Sequence, residues 1–245
     1  SVDILGVRVD NVTISKTLEF IRGYVEDGTP HQIVTVNPEF VIRAQRNAAF
    51  HRVLDQADLA LPDGYGLLWA SRLLGMPLQE RVTGSDTLPL IAQMSAREGY
   101  SLFLLGAAPG VAERTATILQ RENEGLRIAG TFPGSPDPAC DDELVSRVTA
   151  AAPEILFVAY GAPQQDLWIQ RNLERLNVPV CMGVGGAFDF IAGVTQRAPV
   201  WLRERGLEWL HRLVHEPWRW RRMLALPAFA YRVVGQKLAD LWRKQ

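Results

Sequence analysis

The sequence predicts an α/β fold: a mainly parallel, doubly wound sheet with helices on both faces, followed by a C-terminal helical appendage. The first observation is that short apolar runs bounded by Gly, Pro or Asp alternate with helix-length segments. The second is that these runs are apolar throughout, which is typical of parallel strands covered on both faces. The six runs are residues 32–38, 57–63, 100–106, 126–132, 153–161 and 178–185.

The N-terminal segment, SVDILGVRVDN, differs from these runs because its apolar residues alternate with polar ones. Alternation is typical of a strand with one solvent-facing side, so this segment predicts an edge strand or a hairpin. Residues 131–142 are rich in Pro, Gly and Asp, which predicts a turn-rich connection. No internal repeat or low-complexity segment interrupts the pattern.

The composition is that of a folded protein with one substantial core, since 47% of the 245 residues are hydrophobic. Cys140 and Cys181 are far apart, which provides neither a disulfide framework nor a cysteine zinc motif. No apolar run is long enough to span a membrane, and no basic and apolar leader precedes the first strand. We therefore expect a cytoplasmic protein.

The net charge of −1 conceals a segregation of charge along the chain. Residues 203–244 contain ten Lys or Arg against four acidic residues, an excess of +6, whereas the rest of the chain carries −7. Five of the seven tryptophans lie from residue 201 onward. This pattern is typical of surfaces that meet anionic lipid or phosphate. It predicts a core of residues 1–195 and a membrane-associating appendage of residues 196–245.

Asp63 lies between Pro62 and Gly64, where a predicted strand is followed by an apolar helix. In a doubly wound sheet, the loops at the carboxyl ends of the strands form the ligand crevice. Two roles suit a carboxylate at this joint: a helix N-cap that accepts from free backbone N–H groups, or a general base. The pattern alone leaves both roles open.

Two glycine-rich segments follow other strands. The turn in FLLGAAPG, which begins at Gly106, is able to present backbone N–H groups to a phosphate, although such turns are also common for steric reasons. GVGGAFDF, which contains Gly185 and Gly186, resembles half of a dinucleotide-binding fingerprint. Phe188 occupies the position that requires glycine or alanine, which argues against the alternative of a nicotinamide-dependent oxidoreductase.

Several motifs of other enzyme classes are absent, including GxxxxGK[ST], GxSxG, HExxH and the Asp-x-Asp pair that holds a divalent ion on a sugar nucleotide. His211 and His215 are four residues apart, but the sequence offers no evident third ligand nearby. We therefore predict no metal site and no bound cofactor.

Seven motifs carry a resemblance to a known family. They are TVNPEFV (35–41), LPDGYGLLWASRLLG (61–75), RVTGSD (81–86), FLLGAAPG (103–110), VAYGAPQQDLWI (158–169), GVGGAFDFIAG (183–193) and RAPVWLRERGLEWLHRLVHEPWRWRR (197–222). In this order they resemble the WecG/TagA/CpsF family of bacterial glycosyltransferases, and the likeness extends from about residue 3 to residue 222.

The resemblance implies a Rossmann-like fold whose C-terminal appendage reaches the membrane and helps to complete the active site. It implies that a hexose-type sugar is transferred from a UDP-sugar to a polyprenyl-diphosphate-linked saccharide, with inversion and without a bound metal. The products implied are teichoic acid, common antigen or exopolysaccharide, made at the cytoplasmic face of the cell membrane.

The resemblance also assigns site residues. Asp63 matches the proposed base, and Arg81, Thr35 and Asn37 match other positions of the catalytic site. The predicted substrate-binding residues are Gln165, Gly106, Gly185, Gly186, Arg212, Arg219 and Arg222. The three arginines are expected to neutralise the leaving diphosphate, because without a metal this charge must be balanced by cationic side chains or helix N-termini.

The spacing of these arginines bears on how they would act. Arg205, Arg212 and Arg219 recur every seven residues, so an unbroken helix would align them on one stripe with Arg222. Pro217 interrupts such a helix. Binding of lipid headgroups is the alternative role for these cations.

A non-catalytic module that binds lipid or RNA is a further alternative to the glycosyltransferase, for which no nucleic-acid partner is expected. The identity of the sugar is open. So is the oligomeric state, with a homo-oligomer among the alternatives.

Overall fold

A computed structural model describes residues 1–215, 217 and 220–242. The chain begins with β1 (Val2–Ile4) and β2 (Val7–Val9), which pair antiparallel and form a separate two-stranded sheet. Of the two alternatives for this segment, the hairpin is confirmed and the edge strand is not. The next element is α1 (Ile14–Asp27), which begins at the Thr13 cap.

All six predicted core strands are present in one parallel sheet. They are β3 (His31–Val36), β4 (Leu59–Pro62), β5 (Ser101–Gly106), β6 (Arg127–Phe132), β7 (Ile155–Ala159) and β8 (Val180–Gly183). Their order across the sheet is β4-β3-β8-β7-β5-β6, and every pairing is parallel. The predicted doubly wound α/β fold is therefore confirmed.

Helices connect the strands as the alternating pattern predicts. The bounds are α2 (Pro38–Ala44), α3 (Ala48–Gln56), α4 (Tyr65–Leu74), α5 (Gly84–Glu98), α6 (Val111–Glu122), α7 (Asp141–Ala151), α8 (Gln164–Leu176) and α9 (Ala187–Ile191). The connection after β6 contains a single 3-10 turn, Pro138–Cys140, and is otherwise irregular up to α7.

Both faces of the sheet are covered. On one face, alternate strand residues such as Ile33, Leu104 and Phe157 pack with α1, α5, α6 and α9. On the other face, the intervening residues pack with the hairpin, α2, α3 and α4 around β3 and β4, and with α7 and α8 around β5 and β7. This burial on two sides explains why the central strands are apolar throughout.

The C-terminal segment folds as α10 (Val200–Glu204), α11 (Glu208–His215), α12 (Trp220–Met223) and α13 (Ala225–Trp242). The long α13 packs against α2 and α4, where Phe229 and Val233 are buried in the core. Arg212 on α11 and Arg222 on α12 therefore lie on separate short helices rather than on one continuous helix. Among the described residues, none of the helices combines the length and the apolar character that crossing a bilayer requires.

Candidate active site

The loops that leave the carboxyl ends of β3, β4, β7 and β8 surround a cavity of about 300 Å³, here called the polar cavity. Most of the sequence-predicted site residues line it. They are Thr35, Asn37, Asp63, Gln165, Gly185, Gly186, Arg212 and Arg222. The strand ends and the loops and helix starts that follow them contribute the first six of these residues, and the C-terminal segment contributes the two arginines.

A second cavity, of about 220 Å³, lies beside the first and is lined largely by apolar groups; we call it the aromatic cavity. Tyr65, Trp209, Met223 and Leu226 supply its apolar walls, together with Arg81. The two cavities share four lining residues, which are Asn37, Asp63, Arg212 and Arg222. These shared residues therefore lie between two compartments of different chemistry.

The Asp63 carboxyl group lies at this junction. Its backbone N–H donates to the Val36 carbonyl at 2.7 Å, which holds it beside the end of β3. Helix α4 has Gly64 as its N-cap, so Asp63 does not occupy the capping position that suited it in the sequence. Among the described residues, its carboxylate accepts no hydrogen bond. The capping role is thus not used, and the carboxylate faces the cavities.

Burial raises the pKa of Asp63 from its ordinary value of 3.8 to about 7. The positive charge of Arg81 lowers this pKa, while the negative charges of Glu208 and Asp86 raise it, and Arg212 lowers it further. A carboxylate with a pKa near neutrality is well suited to accept a proton, because its basicity is high while a large fraction is still ionised.

Thr35 and Asn37 line the polar cavity from the end of β3. Thr35 is almost fully buried, and its hydroxyl lies 3.4 Å from the Gly183 carbonyl of the adjacent β8. Asn37 caps α2, because its Oδ1 accepts from the Phe40 N–H at 3.0 Å. Its amide nitrogen is left to donate toward the cavity, so the structural and the predicted roles of Asn37 are compatible.

Gln165 is held in one orientation at the start of α8. Its Oε1 accepts from the Gly185 N–H at 2.9 Å, so its Nε2 faces the other way, toward Gly183. A Cβ on Gly183 would lie 2.5 Å from that nitrogen and 2.6 Å from Asp166 Oδ1, which explains why glycine ends β8. Asp166 is fully buried beneath, and burial raises its pKa to about 7 while the Gln165 amide lowers it.

Arg81 is brought to the aromatic cavity by the chain that passes the end of β4, where the Val82 N–H donates to the Pro62 carbonyl at 2.9 Å. Its guanidinium lies 5.1 Å from the centre of the Tyr65 ring. It also pairs with Asp86 at 3.1 Å and with Glu208 at 3.5 Å. Arg81 thus connects the core to the C-terminal segment next to Asp63.

Asp86 is the centre of this ionic contact. Beyond Arg81, it pairs with Arg197 at 2.7 Å and with Arg203 at 3.5 Å, and it accepts from the Thr83 hydroxyl at 2.8 Å. Burial alone would raise the pKa of Asp86, but Arg197, Thr83 and Arg81 lower it below its ordinary value. The core therefore holds the predicted appendage over the strand ends through a partly buried carboxylate.

Arg212 and Arg222 approach Asp63 from the C-terminal segment. The Arg212 guanidinium lies 4.9 Å from the centre of the Phe190 ring, and its Nη2 would be 3.5 Å from a Cβ on Gly186. Burial lowers its pKa, and its Nε is buried without a hydrogen-bond partner among the described residues. Arg222 binds both oxygens of Glu39. Arg219, the third predicted arginine, lies outside the described residues.

Gly106 is the one predicted site residue of the core that lines neither cavity. Its φ of +106° is in the region that favours glycine, and a Cβ there would lie 2.8 Å from the Ala159 carbonyl carbon. The steric alternative accounts for this glycine, because β5 and β7 approach closely where both strands end.

Three acidic residues that border the site, Glu39, Asp86 and Glu208, were not predicted from the sequence. All three lie within quoted motifs, and the Thr83-x-x-Asp86 spacing is a recognisable capping pattern. Glu208 carried no local signal, because its role depends on contacts with Arg81 and Arg197. In the described parts of the chain, no three His, Cys, Asp or Glu side chains are grouped closely enough to hold a metal ion.

This architecture, with a carboxylate and converging arginines at the ends of parallel strands, is that of an α/β enzyme of the glycosyltransferase class. The sequence profile described as glycosyl transferase WecG/TagA/CpsF family matches residues 2–242. The chain belongs to this family, which confirms the resemblance and the prediction of a glycosyltransferase, and which removes the oxidoreductase and the non-catalytic alternatives.

Three relatives are named N-acetylglucosaminyldiphosphoundecaprenol N-acetyl-beta-D-mannosaminyltransferase. The chain is 34% identical to the one from Bacillus spizizenii over 95% of this chain and 90% of the relative. It is 32% identical to the one from Bacillus subtilis, over 93% and 88%, and 32% identical to one from Staphylococcus aureus, over 96% and 93%. The similarity therefore includes the core and most of the C-terminal segment.

Proposed function

We propose that this protein transfers an N-acetylhexosamine residue from a UDP-sugar to N-acetylglucosamine that is linked through a diphosphate to a polyprenyl lipid. The observation that carries the proposal is the position of Asp63, whose carboxylate borders both the polar and the aromatic cavity. A transferase needs such a junction, because donor and acceptor must meet at one base. The names of the relatives support the choice of acceptor and of an N-acetylhexosamine.

The polar cavity suits the donor. Hydroxyl, amide and backbone groups from Thr35, Asn37 and Gln165 are able to bind the sugar and the nucleotide, and Arg212 faces the same space. The aromatic cavity suits the acceptor sugar, because Tyr65 and Trp209 offer ring faces that pack on a pyranose. Asp63 lies between them.

In the proposed reaction, Asp63 accepts the proton of an acceptor hydroxyl while that oxygen bonds to the anomeric carbon. The bond from the anomeric carbon to the UDP oxygen breaks, and UDP leaves with the electron pair. The buried guanidinium of Arg212 and the nearby Arg222 balance the charge that develops on the leaving diphosphate. Attack opposite to the leaving group inverts the anomeric centre, consistent with the β linkage in the relatives' names.

The experiment is a panel of UDP-sugars assayed for UDP release with a short-chain prenyl-diphosphate-linked N-acetylglucosamine as acceptor, in the presence of EDTA. We expect turnover with a UDP-N-acetylhexosamine, with UDP-N-acetylmannosamine as the first candidate, and a β-linked product by NMR. Absence of turnover with every donor, or an α-linked product, would refute the proposal.

We further propose that residues 196–245 dock on the anionic cytoplasmic face of the cell membrane. This segment leaves large apolar side chains exposed, among them Trp201 and Trp220, each more than half exposed, beside its excess of arginine. Such a combination favours the interface of an anionic bilayer.

Trp201→Ala is expected to weaken binding to phosphatidylglycerol vesicles severalfold in co-sedimentation, because an interfacial ring is lost. Trp69→Ala is the matched control, since Trp69 is a similarly exposed tryptophan on α4 of the core. Equal vesicle binding by the two variants and the unchanged protein would contradict the docking proposal.

A further inference from the structure

A third cavity, of about 570 Å³, lies between α2, the start of α3 and the α12–α13 connection. We call it the arginine groove. Its apolar lining consists of Ile42, Leu224, Ala225 and Ala228. Charged side chains line the same groove. A groove that offers both apolar and charged groups fits an amphiphilic ligand.

The charge of the arginine groove is positive. Arg43, Arg46 and Arg222 line it, with Glu39 as the one carboxylate among the described lining residues. Glu39 is shared, because it pairs with Arg43 at 2.9 Å and with Arg222 at 2.8 Å. Arg46 is exposed, and its guanidinium forms no hydrogen bond or ion pair with another described residue. Two net positive charges therefore face the groove, and one of them is available to a ligand.

The groove continues into the site already described. Glu39 and Arg222 line both the arginine groove and the aromatic cavity, which contains Asp63. Helix α2 begins after Asn37, which lines the same cavities as Asp63, and it contains Arg43 near its other end. The helical rise over the six residues from Asn37 to Arg43 is roughly 9 Å. A sugar bound at Asp63 would thus direct a substituent on its far side along α2 toward these arginines.

We propose that the arginine groove binds the diphosphate of the lipid-linked acceptor, with Arg46 and Arg43 on the phosphate oxygens and the first prenyl carbons on its apolar lining residues. This inference rests on the proposed function for the choice of acceptor. Diphosphate matches the guanidinium charge and geometry, and the prenyl chain matches the apolar residues that line the same groove. The donor diphosphate would be bound separately, at Arg212 in the polar cavity.

The test uses equilibrium binding of farnesyl diphosphate, a soluble prenyl diphosphate, to the full chain without vesicles. Arg46→Ala is expected to weaken this binding about tenfold, as loss of a charge-assisted contact to phosphate does, and to leave UDP binding unchanged. Arg97→Ala is the matched control, because Arg97 is an exposed arginine near the end of α5, which leads into β5, three positions from β3 across the sheet. Arg46 is exposed, so its replacement leaves the core intact.

Equal affinity of the Arg46 and Arg97 variants for farnesyl diphosphate would overturn the inference. So would a parallel loss of UDP affinity in Arg46→Ala, because the groove would then not be a separate site. A loss seen only when anionic vesicles are added would assign Arg46 to lipid headgroups instead. If no UDP-sugar is turned over, the proposed function fails, whereas the binding comparison still decides whether the groove takes a prenyl diphosphate.

Discussion

Asp63→Asn is expected to lower kcat by about 10³-fold while the protein stays folded, because the amide cannot accept the proton of the acceptor hydroxyl. The side chain is nearly isosteric and makes no hydrogen bond to another described residue, so the substitution changes little besides the charge. The measurement is steady-state UDP release with the lipid-diphosphate acceptor, with the fold checked by circular dichroism.

The pH dependence of kcat/KM is a second test of Asp63 as the base. The pKa of about 7 for Asp63 places its ionisation within the working range, so kcat/KM of the unchanged protein should rise as the pH increases through about 7. The free energy of unfolding of the protein without substrate should decrease as the pH rises over the same range. A carboxyl whose folded-state pKa lies above its ordinary value of 3.8 stabilises the fold fully at low pH, and this contribution is lost as the pH rises through 7.

Asp63→Asn should therefore unfold at higher urea concentration than the unchanged protein at pH 8, with little difference between the two at pH 4. A variant that retains near-normal kcat would exclude Asp63 as the base. If Asp63→Asn is inactive but is no more stable than the unchanged protein at pH 8, the Asp63 carboxylate is not desolvated. Its basicity then has another origin.

Arg212→Ala is expected to lower kcat by about 10²-fold, with a smaller effect on the KM of the acceptor. The reason is that the Arg212 guanidinium is buried in the polar cavity, where it faces a developing negative charge with little competition from water. Arg212→Lys should restore part of the activity, because it returns the charge without the planar fork.

The matched control is Arg205→Ala. Arg205 belongs to the same C-terminal segment but is exposed, with its guanidinium 5.8 Å from the centre of the Trp201 ring rather than in a cavity. We expect near-normal kcat for this variant with a soluble acceptor. Equal losses in both variants would mean that the arginines act through docking of the segment, and that Arg212 does not contact the leaving group.

The sequence predicted the sheet well because its signals are local. Each of the six apolar runs contains a strand, and the helices between them begin at polar caps such as Asn37 and Thr83. The crossover rule for parallel sheets then brings the strand ends to one edge, which is why Asp63, Thr35 and Gln165, each at or near the end of a strand, line the same cavity. Continuous burial of a strand and the turn from a strand into a helix both depend on residues that are neighbours in the sequence.

The same local signals were ambiguous where one residue type serves several purposes. Asp63 was equally suited to capping, and the geometry that gives Gly64 the N-cap position removed that role. Gly106 was predicted to bind substrate, but the closeness of Ala159 accounts for it. Both outcomes depend on a neighbouring strand or turn whose distance the pattern of residues does not encode.

The sequence by itself determined the fold class, the family and most residues that line the candidate site, since each follows from a pattern of nearby residues. Only the tertiary structure decided that Asp86 anchors Arg197 and Arg203, that Glu208 approaches Arg81, and that Arg212 enters the polar cavity. These contacts join positions more than 100 residues apart, and their energies depend on which groups are withdrawn from water together. The pKa of Asp63 is of the same kind, because it is the enclosure by distant segments that raises it.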